Sequence, residues 1–285
     1  ILSPKRSELD LTNYVSVKNW FKENKPNVVI IAAAKVGGIN ANNSMPFNFI
    51  LENIKIQTNL IEISWLFNVE ILIFLGSSCI YPKFAKQPIK EEYLLTDSLE
   101  TTNEFYALAK ISGIKLCQAL KKQHNFNSIC LMPTNLYGPG DNYNLKNSHV
   151  IPALIRKFND AKENDLKYVE CWGSGKPLRE FLYVDDLAEA CIFILEKWSD
   201  SNFKKVDQDG KEINWLNVGS PFEISIKNLT EIIARQTGFK GEIIWDKNMP
   251  DGTPRKKLDT TKINNLGWQA KINLEKGIKL TLKHF

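Results

Sequence analysis

The stretch Ile71-Leu72-Ile73-Phe74-Leu75-Gly76-Ser77-Ser78-Cys79-Ile80-Tyr81-Pro82 decides the fold. Its first five residues are a solid apolar run ended by glycine. A run this short, rich in isoleucine and phenylalanine, reads as a strand buried on both faces, as in a parallel sheet. The small polar residues after it stand at the carboxyl end of that strand, where doubly wound sheets place ligand contacts. Upstream, Val28 to Ala33 is a second run of the same kind. Between the two, Phe47, Ile50, Ile54, Leu60, Ile61, Leu66 and Phe67 carry a helical spacing over Pro46 to Phe67, with the proline tolerated in the first turn. Downstream, Glu104 to Gln123 reads as a helix and Ser128 to Met132 as a strand. This β-α-β-α-β order predicts an α/β, Rossmann-type doubly wound parallel sheet with helices on both faces.

After about residue 140 the pattern changes. His149 to Lys162 reads as a helix opened by Ser148, and Lys167 to Trp172 and Phe181 to Val184 as short strands. Asp185 to Lys197 reads as a helix capped by an acid, and 199–214 as a polar surface loop. Trp215 to Val218 is a strand, Ser225 to Gly238 a helix, Glu242 to Trp245 a strand and 246–255 a polar loop. We therefore expect a Rossmann domain over 1–148 and a smaller mixed α/β C-terminal substrate lobe over 149–285. Some segments of the lobe return to the first domain, and the cleft between the two is where a ligand belongs.

Composition narrows the class. The 285 residues are 43% hydrophobic and 24% charged, which excludes a disordered chain or a fibre. The longest unbroken apolar run, Val28 to Ala34, is seven residues, against about 20 for a membrane-spanning helix. Net charge is +5, from 37 basic and 32 acidic residues, and the lysines are scattered, which reads as a solvated surface and not a nucleic-acid patch. The five cysteines are odd in number and form no C-x-x-C pair, so a reduced, cytoplasmic setting fits better than disulfides or zinc. No metal site is expected, since the three histidines His124, His149 and His284 have no ligand spacing.

The chemistry sits on the deciding stretch and the helix after it. Tyr106 lies 29 residues past Ser77, and Tyr106 and Lys110 are one turn apart on a single helix face. A lysine ammonium beside a tyrosine favours the phenolate. Moving a tyrosine from about 10 toward neutrality takes roughly three units, or about 4 kcal/mol. A serine hydroxyl at the strand end would hold a carbonyl oxygen while Tyr106 protonates it. Cys117, Cys130 and Cys191 fall in expected helix or strand interiors and read as small buried hydrophobes.

Ser77, Tyr106 and Lys110 resemble the catalytic trio of the extended short-chain dehydrogenases/reductases. Longer strings narrow the resemblance: AAAKVGGI (32–39), FLGSSCIYPK (74–83), TNEFYALAKISGIKLC (102–117), MPTNLYGPGDN (132–142), HVIPALIRKF (149–158), WGSGKPLREFLYVDDLA (172–188) and DGTPRK (251–256). Together they are similar to the GDP-L-fucose synthase family over nearly the whole chain. That resemblance implies conversion of GDP-4-keto-6-deoxy-D-mannose to GDP-L-fucose with NADPH, by epimerisation at C3 and C5 and then reduction of the C4 ketone. Inverting a carbon next to a ketone requires a proton to leave from one face and return on the other. Two titratable groups beyond the trio are needed, and the resemblance places them at Cys79 and His149. It implies cofactor contacts at Arg6, Leu75, Gly76, Ser77, Ser78, Lys110, Pro133, Thr134, Asn135, Leu136 and His149. Arg6 falls at the end of an expected second strand, where a base would meet the 2′-phosphate of NADP(H).

Substrate contacts are implied at Lys157, Trp172, Arg179 and Asp251: guanine stacking on Trp172, the diphosphate on the fork of Arg179. Arginine is common in relatives at the position of Lys157, which keeps the charge but not the bidentate geometry. Asp251, in D-G-T-P, also reads as a turn former. The Gly-rich turn that should follow the first strand is missing, and the opening Ile1-Leu2-Ser3-Pro4-Lys5-Arg6 reads as the interior of a longer frame, in which the chain alone would bind NADPH poorly. Alternatives are a related nucleotide-sugar dehydratase or 4-epimerase, which would need the trio but not Cys79 with His149, or a nucleotide-binding fragment without catalysis. The expected partner besides the GDP-sugar is a second copy, paired through the Pro46 and Tyr106 helices.

Overall fold

The computed structural model describes residues 1–145, 147–249 and 251–285. Its elements in chain order are α1 (Tyr14–Asn24), β1 (Val28–Ile31), α2 (Ile39–Ser44), α3 (Pro46–Leu66), β2 (Ile71–Leu75), α4 (Glu104–His124), β3 (Ser128–Pro133), β4 (Asn135–Tyr137), α5 (Val150–Glu163), β5 (Tyr168–Trp172), β6 (Leu178–Tyr183), α6 (Val184–Ser199), β7 (Trp215–Val218), β8 (Glu223–Ser225), α7 (Ile226–Thr237), β9 (Glu242–Asp246), β10 (Arg255–Lys256), α8 (Thr261–Leu266) and α9 (Leu274–Leu282).

The first sheet is parallel throughout, in the order β1-β2-β3-β7. The central strand β2 is apolar at every position, and β3 and β7 are apolar but for Ser128 and Asn217, as suits strands covered on both faces. Leu72, Phe74, Cys130 and Met132 pack against Val17 and Phe21 of α1, Ile61 of α3 and Ile114 of α4. Ile71, Ile73, Ile129 and Leu131 face the other way, onto Leu187, Ala190 and Ile194 of α6 and Ile263 of α8. Each such side chain contributes roughly 1.5–3 kcal/mol on burial. Helix α4 sits close enough to this layer that a Cβ on Gly113 would come within 2.6 Å of the Phe74 ring and 3.0 Å of Gln57. Gln57 Nε2 closes the α3–α4 seam by donating to the Ala109 carbonyl and to Ser112 Oγ.

The second layer pairs β4 and β10 with opposite edges of β6 in parallel, while β8 adds antiparallel to β6. A separate parallel pair, β5 and β9, lies beside it. Helices α5, α7 and α9 supply Ile155, Phe158, Leu229, Ile233 and Ile278 to this core. Although they follow residue 149, α6, β7 and α8 pack in the first core.

Four local expectations are corrected. Helix α5 starts at Val150 with His149 as its N-cap, so Ser148 does not open it. Helix α6 is preceded by Tyr183, not an acid; Asp186 sits in its first turn and accepts the Lys271 and Ile272 N–H groups. Arg6 does not end a strand. The Lys5 carbonyl accepts from Glu8 and Leu9, and the Lys5 N–H donates back to the Glu8 carboxylate, so the chain turns there after Pro4. Arg255 and Lys256, at the end of the expected 246–255 loop, form β10; Pro250 in that loop lies outside the described residues.

Candidate active site

The carboxyl end of β2 is fixed by close packing. Gly76 N–H donates to the Leu131 carbonyl at 2.8 Å, and a Cβ there would lie 2.3 Å from Met132 Sδ. Beyond it Ser77 caps a short 3₁₀ turn over Ser78–Ile80, its Oγ accepting from Cys79 N–H at 3.2 Å. Ser78 is buried within that turn. The turn points Ser77 and Cys79 toward α4, which carries Tyr106 and Lys110.

Lys110 is buried, and its Nζ donates to the Leu75 carbonyl at 2.8 Å. The ammonium also lies 4.8 Å from the centre of the Phe74 ring and 5.9 Å from that of Tyr106. Burial pulls its pKa down to about 8. Tyr106 keeps part of its surface in contact with solvent, while its hydroxyl is enclosed. That enclosure pushes its pKa up, the Cys79 thiolate would push it further, and Ser77 opposes both. The expected phenolate is therefore corrected: Lys110 is engaged by a backbone carbonyl, and desolvation keeps Tyr106 protonated.

Cys79 is half-buried between two donors. Lys256 Nζ stands 3.4 Å from its sulfur, and Asn103 Nδ2 stands 3.8 Å away. His149, an exposed residue at the start of α5, has a crowded ring whose pKa is lowered by desolvation, raised by Asp141 and lowered by Lys256. Lys256 thus acts on both Cys79 and His149. Sequence reasoning missed Lys256 and Asn103. Asn103 had a signal, because it lies three residues before Tyr106 on the same helix face. Lys256 had none, since only the parallel pairing of β10 with β6 carries it to the thiol.

The remaining expected cofactor residues are spread wider. Thr134 Oγ1 and Asn135 Nδ2 both donate to the Glu180 carbonyl, at 3.4 and 3.1 Å, at the carboxyl end of Pro133 and β3. Leu136 packs into the core under the first sheet. Arg6 has a side chain 90% exposed, 3.9 Å from Glu52, which is held by Lys35 at 2.6 Å.

Of the expected substrate residues, Arg179 is brought beside this site as the register neighbour of Lys256. Arg179 Nη1 donates to the Leu178 carbonyl at 2.8 Å; burial lowers its pKa and Asp251 opposes that. Asp251 accepts from Ser174 N–H at 2.6 Å and from Ser174 Oγ at 2.7 Å, and these bonds hold its carboxyl below the usual range. It therefore acts first as the clasp between its loop and the turn at 173–175. Gly173 permits the clasp: its φ is +79°, and a Cβ would lie 2.4 Å from Asp251 Oδ1. Trp172 is 56% exposed, with Lys157 Nζ 5.5 Å from the ring centre and donating to the Glu170 carbonyl at 2.9 Å.

The donor set fits a nicotinamide dinucleotide phosphate. Lys110 is a buried cation with no carboxylate partner among the described residues, at the carboxyl ends of β2 and β3 beside Ser77 and Ser78. Arg6 presents an exposed guanidinium.

A match to the NAD dependent epimerase/dehydratase family spans residues 3–206. The chain is 52% identical over 275 residues to GDP-L-fucose synthase 1 of Arabidopsis thaliana, covering 96% of this chain and 81% of that protein. It is 46% identical over 280 residues to the GDP-L-fucose synthase of Escherichia coli (strain K12), covering 98% and 86%. Among solved structures, a GDP-L-fucose synthetase from Naegleria fowleri bound to NADP superposes with a TM-score of 0.86 at 28% identity, covering 100% of this chain and 84% of that one.

Proposed function

The chain belongs to the NAD dependent epimerase/dehydratase family, and we propose that it converts GDP-4-keto-6-deoxy-D-mannose to GDP-L-fucose. It is an NADP(H)-dependent epimerase-reductase, acting by 3,5-epimerisation followed by reduction of the C4 ketone. The observation that carries this reading is that Cys79 shares one turn with Ser77, has Lys256 Nζ 3.4 Å from its sulfur, and faces the α4 helix that carries Tyr106 and Lys110. One cleft then holds a carbonyl-polarising trio and two groups that exchange carbon-bound protons.

NADPH, when bound, supplies the hydride to C4. Lys110, Ser77, Ser78 and the 133–136 segment would hold its nicotinamide end, Arg6 its 2′-phosphate, and His149 would border it. Ser77 and Tyr106 hold the C4 oxygen, which acidifies the protons on C3 and C5. The Cys79 sulfur takes a proton from one face: an S–H bond forms, the C–H bond breaks, and its electron pair moves onto the C4 oxygen. His149 returns a proton to the opposite face. Lys256 holds its Nζ against the Cys79 sulfur and, by its charge, makes the His149 imidazolium readier to give up its proton. Burial keeps the Tyr106 proton in place until negative charge develops on the C4 oxygen. In the substrate lobe, 149–285, the exposed Trp172 takes the guanine and Arg179 the diphosphate, with Lys157 beside them and Asp251 holding the loop. Residues 1–148 carry the cofactor.

No described helix is long and apolar enough to cross a membrane, and all five cysteines are free thiols, which supports a reducing, cytoplasmic setting. The outward side of the α3–α4 pair exposes Phe47, Phe105 and Leu108, which supports a homodimer across these helices. The test is to incubate the protein with NADPH and the keto sugar and identify the product by NMR. GDP-L-fucose is expected; an unepimerised D-configured 6-deoxy sugar, or unchanged ketone from protein shown by titration to hold NADPH, overturns the reading.

A further inference from the structure

Asn103 stands at the N-cap position of α4, yet its side chain caps nothing. An asparagine there ordinarily gives its oxygen to an N–H of the first helical turn. Here Oδ1 is buried with no partner, while Nδ2 reaches toward Cys79 Sγ at 3.8 Å. The spacing 103, 106, 110 puts the amide on the same helix face as Tyr106 and Lys110. A residue with a purely structural role would not leave both the helix end and its own carbonyl oxygen unsatisfied. The N–H is turned to the sulfur instead, and the oxygen is a buried acceptor left without a partner, which a ligand hydroxyl would satisfy.

We infer that Asn103 is the positioning residue for Cys79, its N–H bracing the sulfur opposite Lys256 and its Oδ1 accepting a hydroxyl of the bound sugar. The inference rests on the reading of Cys79 as the group that takes the sugar's carbon-bound protons. It adds that the thiolate needs two donors, one charged and one neutral, to be held facing the carbon, and that the same amide ties the sugar to the sulfur.

The test uses Asn103→Ser, because serine restores a side-chain cap to α4 and so preserves the helix start while removing the amide. Two readouts are taken on wild type and variant. The first is the pH profile for alkylation of Cys79 by iodoacetamide, followed by mass spectrometry of the Cys79 peptide. The second is deuterium entry at C3 and C5 of the keto sugar in deuterated water, with Cys79→Ser as the control. The expected result is an alkylation profile displaced toward alkaline pH, with exchange slowed about tenfold, the order set by one lost bond to a charged acceptor, and unchanged affinity for NADPH. Exchange at the wild-type rate overturns the inference, whatever the alkylation profile. Slowed exchange with an unmoved alkylation profile also overturns it, since the amide would then act on the sugar alone. If Cys79→Ser itself exchanges at the wild-type rate, the reading of Cys79 fails and takes this inference with it. If Cys79→Ser abolishes exchange and Asn103→Ser does not slow it, only the role of Asn103 fails.

Discussion

Lys110→Met should make the protein more stable near neutral pH while removing the cation that the proposed reduction needs. Lys110 is an ammonium buried without a carboxylate, and its pKa falls from 10.5 to about 8. At about 1.4 kcal/mol per unit, that drop of about 2.5 units is a burial penalty of about 3 kcal/mol. Methionine removes the penalty and fills a similar volume. It also removes the donor to the Leu75 carbonyl, about 1 kcal/mol, and the contact with Phe74, about 0.5–1 kcal/mol. The balance favours the variant by about 1–2 kcal/mol, a rise of a few degrees in Tm. The sign with pH is specific. Below pH 8 both folded and unfolded lysines are protonated, so the penalty is complete. Between about 8 and 10.5 the unfolded lysine keeps a proton the folded one has lost, so wild-type stability from this group rises with pH. The variant's advantage should therefore be full at pH 7, shrink above pH 8 and reverse near the middle of that window, after about one pH unit. Urea unfolding of the cofactor-free proteins at pH 7, 8, 9 and 10 measures it. A variant less stable than wild type at pH 7, or a difference that does not change with pH, refutes the reasoning.

Arg6→Ala should weaken NADPH binding by roughly ten- to a hundredfold, one or two charge-assisted contacts, and leave NADH nearly unchanged; calorimetric titration with both cofactors checks it. Gly173→Ala should cost about 1–3 kcal/mol, because the new Cβ meets Asp251 at a positive φ, and should lower affinity for GDP as the 251 loop shifts; thermal unfolding and GDP titration read the two effects. Leu108→Glu places a charge on the exposed apolar side of α4 and should turn a dimer into a monomer by light scattering, whereas a monomeric wild type would refute the proposed pairing.

The parts of the site carried by local pattern were legible in the sequence. The Ile71–Leu75 run is apolar at every position because α4 covers one face and α6 the other, and the Tyr106–Lys110 spacing is a property of one helix. What sequence could not show arises from burial and from distant chain. Lys256 reaches Cys79 from 177 positions away, through a two-residue strand too short to have a pattern. The direction of the Tyr106 shift is set first by burial of its hydroxyl, which no local pattern reveals, while the Leu75 carbonyl takes up the lysine that was expected to act on the phenol. Asp251 reads as either a turn former or a ligand contact, and its two bonds to Ser174 show that the turn comes first. Arg6 lacks the expected strand because the Glu8 carboxylate closes a turn on Lys5.

The central claim is that one cleft runs two separable reactions, with Cys79 needed for epimerisation and Tyr106 with Lys110 for reduction. The most direct test is Cys79→Ser with NADPH and the keto sugar in deuterated water, reading C3 and C5 by NMR. Wild type should carry deuterium at both carbons and yield GDP-L-fucose. The variant should still bind both ligands and slowly reduce the unepimerised ketone to a D-configured 6-deoxy sugar with little deuterium. Fully deuterated GDP-L-fucose from Cys79→Ser at the wild-type rate would contradict the account and leave the thiol as packing alone.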